Sequence, residues 1–160
     1  MLNHLESLCR LCGASGQEHP VRDYLIEQIK PLGIPYQIDP LGNLIVEKKG
    51  KQTPPKKWMI GAHMDEVGLI VTYIDENGFL KVGNLGGLDL RLFPAQTVTV
   101  HGTSDIPGVV CAMPPHLLAG DADVADITDI LIDTGYSKEE LEKIVSLGDM
   151  ISFCLLYTSD

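Results

Sequence analysis

The chain has 160 residues, 44% of them hydrophobic and 21% charged, which is enough apolar surface to bury a core and too much for an intrinsically disordered chain. With 22 acidic side chains against 12 basic ones the formal charge is −10, so there is no electrostatic footprint for nucleic-acid phosphates, and anionic membrane surfaces are disfavoured. No apolar run approaches a membrane span, the start lacks the blocks of a secretory signal, and four cysteines (Cys9, Cys12, Cys111, Cys154) without framework spacing fit a reducing compartment; a cytoplasmic protein with no nucleic-acid or membrane partner is expected.

Leu5, Leu8, Cys9 and Cys12 recur at i, i+3, i+4, i+7, which predicts an opening helix with a buried stripe and makes the cysteines packing groups rather than a redox or zinc motif. Ser15-Gly16-Gln17-Glu18 has the form of a capping box and Pro20 suits a first helical turn, so a second helix should begin between Ser15 and Pro20 and stop at Gly33 and Pro35. Tyr36 to Asp39 and Asn43 to Glu47 flank Pro40-Leu41-Gly42 as a strand, turn and strand. Lys48 to Lys57 reads as a solvated loop, and Trp58-Met59-Ile60-Gly61-Ala62 as a strand buried on both faces.

From about residue 68 the texture is all strand. Val67 to Ile74, a turn at Asp75 to Gly78, Phe79 to Val82, Gln96 to His101, Gly108 to Met113, Ile130 to Asp133 and Met150 to Phe153 are expected strands, with Pro107 and Pro114-Pro115 among the breaks. A second capping-box pattern, Ser137 to Glu140, introduces one short helix that Gly148 ends.

The chemistry concentrates at His63-Met64-Asp65-Glu66. In an extended segment alternate side chains share a side, so His63 and Asp65 point together, just beyond an expected buried strand, where open α/β sheets place their ligand sites. Imidazole binds zinc or cobalt, and a ligating histidine usually gives its other N–H to a carboxylate that fixes its tautomer. A His-x-Asp tripeptide by itself is common, and its ordinary reading is a hydrogen-bonded loop histidine; the surrounding residues decide.

Ile60-Gly61-Ala62-His63-Met64-Asp65-Glu66-Val67-Gly68 closely resembles the first metal-site motif of the tetrahedral and glutamyl aminopeptidases, a family of dinuclear metallo-aminopeptidases that includes endoglucanase-like relatives. Gly13 to Glu18 with Val21-Arg22, Asp39 to Asn43, Asn77 to Leu80, Gly86-Gly87, Gly108-Val109, Pro115 to Leu117 and Asp129 to Gly135 are similar to further family segments, in order, over residues 1 to about 153. The resemblance implies an α/β fold: residues 1–67 as the N-terminal part of an open α/β metallopeptidase sheet, then residues 68–153 as an inserted, mostly β, barrel-like domain for dimerisation and assembly. Residues 154–160 do not resemble the family.

It further implies that His63 binds one of two divalent metal ions, zinc or cobalt, and that Asp65 is the catalytic-site residue steering its ring. Substrates would be peptides with free N-termini, and the protein would be a homo-oligomer joined through the β domain. The family's remaining metal ligands follow the β insertion, so this chain is expected to be an N-terminal fragment that binds no metal tightly and is inactive alone. A different reading is a non-catalytic assembly or regulatory module. Glycan hydrolysis needs two carboxylates across a sugar cleft, and no such pair stands out.

His101 and His116 are expected to be structural, the role of Glu66 is open, and Asp121, Asp123, Asp126 and Asp129 lack EF-hand spacing and read as a solvated loop.

Overall fold

A computed structural model describes residues 2–51, 56–111 and 126–153, and the chain divides into two units, residues 1–65 and 66–160. His116, Asp121, Asp123, the Pro114-Pro115 break, the middle of the lysine-rich loop and the 154–160 tail lie outside the described residues.

In the first unit, helix α1 (Leu2–Cys9) forms as its periodicity suggests, but the stripe is not buried: Leu5 is 58% exposed and Cys9 is exposed. An amphipathic face needs a partner surface to become core; α2 meets α1 through the Tyr24 hydroxyl, 2.7 Å from His4 Nδ1, and Leu8 and Cys12 are only half-buried. Helix α2 (His19–Ile29) takes Pro20 into its first turn, where the missing N–H costs nothing, and buries Val21 and Ile26. A 3-10 turn over Lys30–Leu32 follows, and Gly33, at φ 64°, ends it as expected. Strands β1 (Tyr36–Ile38) and β2 (Leu44–Val46) pair antiparallel, with Gln37 opposite Ile45. Asp39 ties their turn: Oδ1 accepts the N–H groups of Leu41 and Asn43, each at 2.9 Å, and Oδ2 accepts the Asn43 amide at 2.8 Å.

One expectation is corrected here. Trp58 to Ala62 is not a strand buried on both faces; it has no regular structure, and Trp58, Met59 and Ile60 are 86%, 97% and 96% exposed. A buried strand exists only between neighbours that accept its backbone hydrogen bonds, and none of the described strands pairs with this segment. The unit's sheet, among described residues, is the two-stranded β1–β2 ribbon.

The second unit is a closed six-stranded antiparallel barrel. In chain order its strands are β3 (Gly68–Ile74), β4 (Leu80–Leu85), β5 (Thr97–His101), β6 (Asp105–Cys111), β7 (Leu131–Asp133) and β8 (Met150–Phe153). Around the barrel they run β3-β4-β7-β6-β5-β8, and β8 closes on β3 with Leu69 opposite Ile151. The sequence dictates this through its period of two: β6 alternates buried Ile106, Gly108 and Val110 with exposed neighbours, and β5 buries Val98 and Val100. Ile106, Val110, Val98 and Val100 meet Leu69, Val71, Leu80, Val82, Ile132 and Ile151 in one core, which Phe93, Leu141 and Val145 also join. Closure gives every strand two neighbours, so the barrel has no edge strand.

Pro107, expected as a break, lies inside β6 opposite Thr99. It is tolerated because β7 begins pairing only at Val109, so at Pro107 the strand has a neighbour on one side alone. The short helix α3 (Lys138–Leu141) carries the expected capping box: Glu140 Oε2 accepts the Ser137 N–H at 3.1 Å and hydroxyl at 2.7 Å. Asp126 and Asp129 form a second box around the 3-10 turn Ile127–Asp129, so these two acids serve backbone capping. Among the described residues no helix is long and apolar enough to cross a membrane.

Asp89 caps the 3-10 turn Leu90–Leu92, and Arg91 reaches back with Nε at 2.8 Å and Nη2 at 2.6 Å. That hydrogen-bonded guanidinium lowers the Asp89 carboxyl from 3.8 to about 2. The folded value lies below the ordinary one, so the stabilisation is fully present above pH 3.8 and disappears as pH falls through about 2. A carboxyl-carbon NMR titration should give a midpoint near 2 that returns toward 3.8 in Arg91→Gln; an unchanged midpoint would remove Arg91 as the cause.

Candidate functional site

The stretch 61–65 has no regular secondary structure, so its shape depends on what holds it. Much of that hold comes from the loop between α1 and α2. Ala14 is 1% exposed, and Gly13 packs so closely that a Cβ there would lie 2.9 Å from Val21 Cγ2 and 3.1 Å from the Met64 carbonyl. The loop is tightened by Gln17 N–H donating to the Ala14 carbonyl at 2.8 Å and Gly16 N–H donating to Glu18 Oε1 at 2.7 Å.

Ser15 does not cap α2, contrary to the capping-box pattern: Glu18 holds the N-cap position and no side chain caps the helix. The Ser15 hydroxyl donates instead to Asp65 Oδ2 at 2.7 Å. Asp65 turns its other face to the histidine: His63 Nδ1 lies 2.8 Å from the Asp65 carbonyl oxygen and 3.1 Å from Oδ1. Both neighbours are acceptors, so Nδ1 carries the proton in the neutral ring, and Nε2 keeps its lone pair. The ring is 85% exposed. Chiefly the Ser15 hydroxyl, and then the His63 ring, hold the Asp65 carboxyl below its ordinary range, which keeps it an anion and an acceptor.

His63, Met64 and Asp65 line a cleft of about 270 Å³ with Glu18, Leu25 and Leu41 to Leu44. A neutral imidazole with a bare, outward Nε2 and a carboxylate behind Nδ1 is the donor arrangement expected of a transition-metal ligand. The residues present therefore fit one ligand of a metal centre. Among the described residues no group of three or more His, Cys, Asp or Glu side chains is gathered to hold an ion, so the further ligands that a catalytic zinc requires are not supplied there.

The other candidates resolve plainly. His101 Nδ1 donates to Asp105 Oδ1 at 2.9 Å, and Nε2 accepts the Ser152 hydroxyl at 2.8 Å, so the ring stitches β5 to β6 and β8 with both nitrogens engaged. Cys9 and Cys12 are free thiols. Sequence reading missed Ser15 as a member of the His63 group, because Ser-x-x-Glu is satisfied equally by a helix cap and nothing local ties position 15 to position 65.

Comparison with known proteins agrees with this motif. The chain is 34% identical over 158 residues to the glutamyl aminopeptidase of Lactococcus lactis, covering 94% of this chain and 44% of that one. Its structure resembles that of an aminopeptidase from the archaeon Desulfurococcus kamchatkensis, with a TM-score of 0.85 and 35% identity over 94% of this chain and 42% of that chain. It also resembles the TET1 peptidase of Pyrococcus horikoshii, described as assembling into a tetrahedron or a large octahedral shell, with a TM-score of 0.79 and 35% identity over 95% of this chain and 46% of that chain. The chain thus spans less than half the length of these relatives. Residues 42–158 match the family profile described as M42 glutamyl aminopeptidase. With a motif, a barrel and a profile match over most of its length in agreement, the chain belongs to the M42 glutamyl aminopeptidase family.

Proposed function

We propose that this chain is one part of a metal-dependent aminopeptidase that removes N-terminal residues from peptides, and that His63 supplies one ligand to a pair of divalent ions, zinc or cobalt. The observation that carries the reading is the exposed His63 ring, its Nδ1 held by Asp65 and its Nε2 without a hydrogen-bond partner among the described residues, within a family of aminopeptidases. The ions, when bound, lower the pKa of a water and polarise the scissile carbonyl. This chain's own contribution is orientation: Asp65 fixes the ring and its tautomer, and the loop carrying Ser15 fixes Asp65.

In the full-length parent, a chelator should abolish aminoacyl p-nitroanilide hydrolysis and zinc or cobalt should restore it; hydrolysis indifferent to chelation would refute the reading. The 160-residue chain alone should turn over the same substrates at background level, because the described residues gather one ligand.

For the barrel we propose a role in subunit contact. Tyr73, Leu92, Val109 and Leu147 are 47%, 68%, 44% and 63% exposed on it, and the TET1 relative is described as forming large shells. Size-exclusion chromatography with light scattering should find the parent as a homo-oligomer. This also supports a second reading, in which the chain by itself is a non-catalytic assembly module; retention of the 160-residue chain on immobilised parent would favour it, and a strictly monomeric chain that ignores the parent would remove it.

A further inference from the structure

We infer that Ser15 is a positioning residue for the metal site: its hydroxyl locks the Asp65 carboxylate, and through it the His63 ring, in the orientation that leaves Nε2 open to an ion. The inference rests on the reading of His63 as a ligand and adds a residue fifty positions from Asp65 in sequence. Two independent observations carry it. First, the two carboxylate oxygens of Asp65 are divided, Oδ2 accepting from Ser15 at 2.7 Å and Oδ1 facing His63 Nδ1 at 3.1 Å, so a rotation that lost one contact would lose the other. Second, Ser15 sits on backbone that is itself fixed, by buried Ala14, by Gly13 against Met64 and by the turn hydrogen bond from Gln17.

A serine in a capping-box pattern would normally satisfy a helix N–H; here that role is given up and the hydroxyl goes to the carboxylate. Local rules are broken in this way where a site requires it. Without Ser15, Oδ2 has lost its side-chain donor, the carboxylate can rotate, and the ring retains only the Asp65 backbone carbonyl on Nδ1.

The test uses the 160-residue chain with zinc alone as the probe, following the His63 ring by nitrogen-15 and carbon-13 NMR. In the unsubstituted chain the neutral ring should be the Nδ1–H tautomer. Ser15→Ala should raise the share of the Nε2–H form and weaken zinc binding at the ring about three- to ten-fold, less than the roughly 10–100-fold cost of removing a ligand's direct partner. Ser15→Thr, which keeps the hydroxyl, should restore both. Ser15→Ala should have no further effect in an Asp65→Ala background, since the serine acts through that carboxylate.

Unchanged tautomer and affinity in Ser15→Ala overturns the inference, as does a loss that persists undiminished without Asp65. If the alanine variant does not fold, Ser15→Cys, a weak donor of similar volume, carries the same comparison. A His63→Ala chain that binds zinc like the unsubstituted one would instead remove the metal-ligand reading beneath the inference.

Discussion

His63→Ala in the full-length parent should lower kcat/KM for aminoacyl p-nitroanilides by more than about 100-fold, because losing even an outer partner of a ligand costs roughly 10–100-fold and here the ligand itself is gone. The same change should leave the fold almost untouched. Among the described residues the ring is 85% exposed and its hydrogen bonds go to Asp65, so in the 160-residue chain the effect on stability should stay within about 0.5 kcal/mol. Asp65→Ala should fall between the two, with about a 10–100-fold loss, since the ligand remains but is no longer held in one orientation. Parallel measurement of kinetics and Tm decides the matter: a large activity loss with a steady Tm marks a metal ligand, whereas a matching fall in Tm would mark a structural histidine.

Gly78→Ala should destabilise the barrel by at least about 3 kcal/mol, a large part of the 5–15 kcal/mol that typically holds a domain together. Two effects add. Gly78 ends the β3–β4 turn at φ 86°, a left-handed geometry that costs a side-chain-bearing residue about 1–3 kcal/mol. The turn also lies against the backbone ahead of α3: a Cβ on Gly78 would collide with the Tyr136 carbonyl oxygen and come within 3.2 Å of Lys138 N. Backbone cannot rotate away as a side chain can, so the turn and the α3 cap must separate. The Lys138–Glu76 ion pair at 2.6 Å spans the same contact and should loosen with it. Denaturant unfolding of the whole chain measures the change, and a variant within 1 kcal/mol of the unsubstituted protein would mean that the two segments do not touch in solution.

The strands of the second unit were legible from sequence because the signals for them are local or periodic, while their order around the barrel is set by long-range pairings. Alternating residues in 97–101, the Asn77-Gly78 turn and the Ser137–Glu140 box each state their structure within a few positions, whereas the strand expected over 108–113 in fact begins at Asp105, and closure pairs the first strand with the last across the whole unit. The failures have the opposite character. Trp58 to Ala62 carries the composition of a doubly buried strand, yet composition does not provide neighbours, and the segment is exposed where none of the described strands pairs with it. The helical stripe of α1 fails likewise, its period correct and its cover only partial, with Leu5 and Cys9 exposed and Leu8 half-buried.

The candidate site divides along the same line. That His63 and Asp65 face each other follows from alternation over two residues, and the geometry agrees at 3.1 Å. That Ser15 stands behind Asp65 depends on how the chain returns after fifty residues, information that a capping-box pattern conceals. Pro107 shows the reverse error: a residue read as a breaker is harmless because of which neighbour happens to be absent beside it.

Because β8 closes the barrel directly onto β3, with Leu69 opposite Ile151, the backbone enters and leaves this unit side by side, about 5 Å apart as for any adjacent antiparallel pair. Such adjacency would let a host chain carry this barrel within one of its surface loops without prising its flanks apart, at a small entropy of spanning the gap. The same adjacency makes the unit suited to circular permutation: joining Phe153 to Gly68 through a short glycine linker and opening the chain at another turn should preserve every strand pairing.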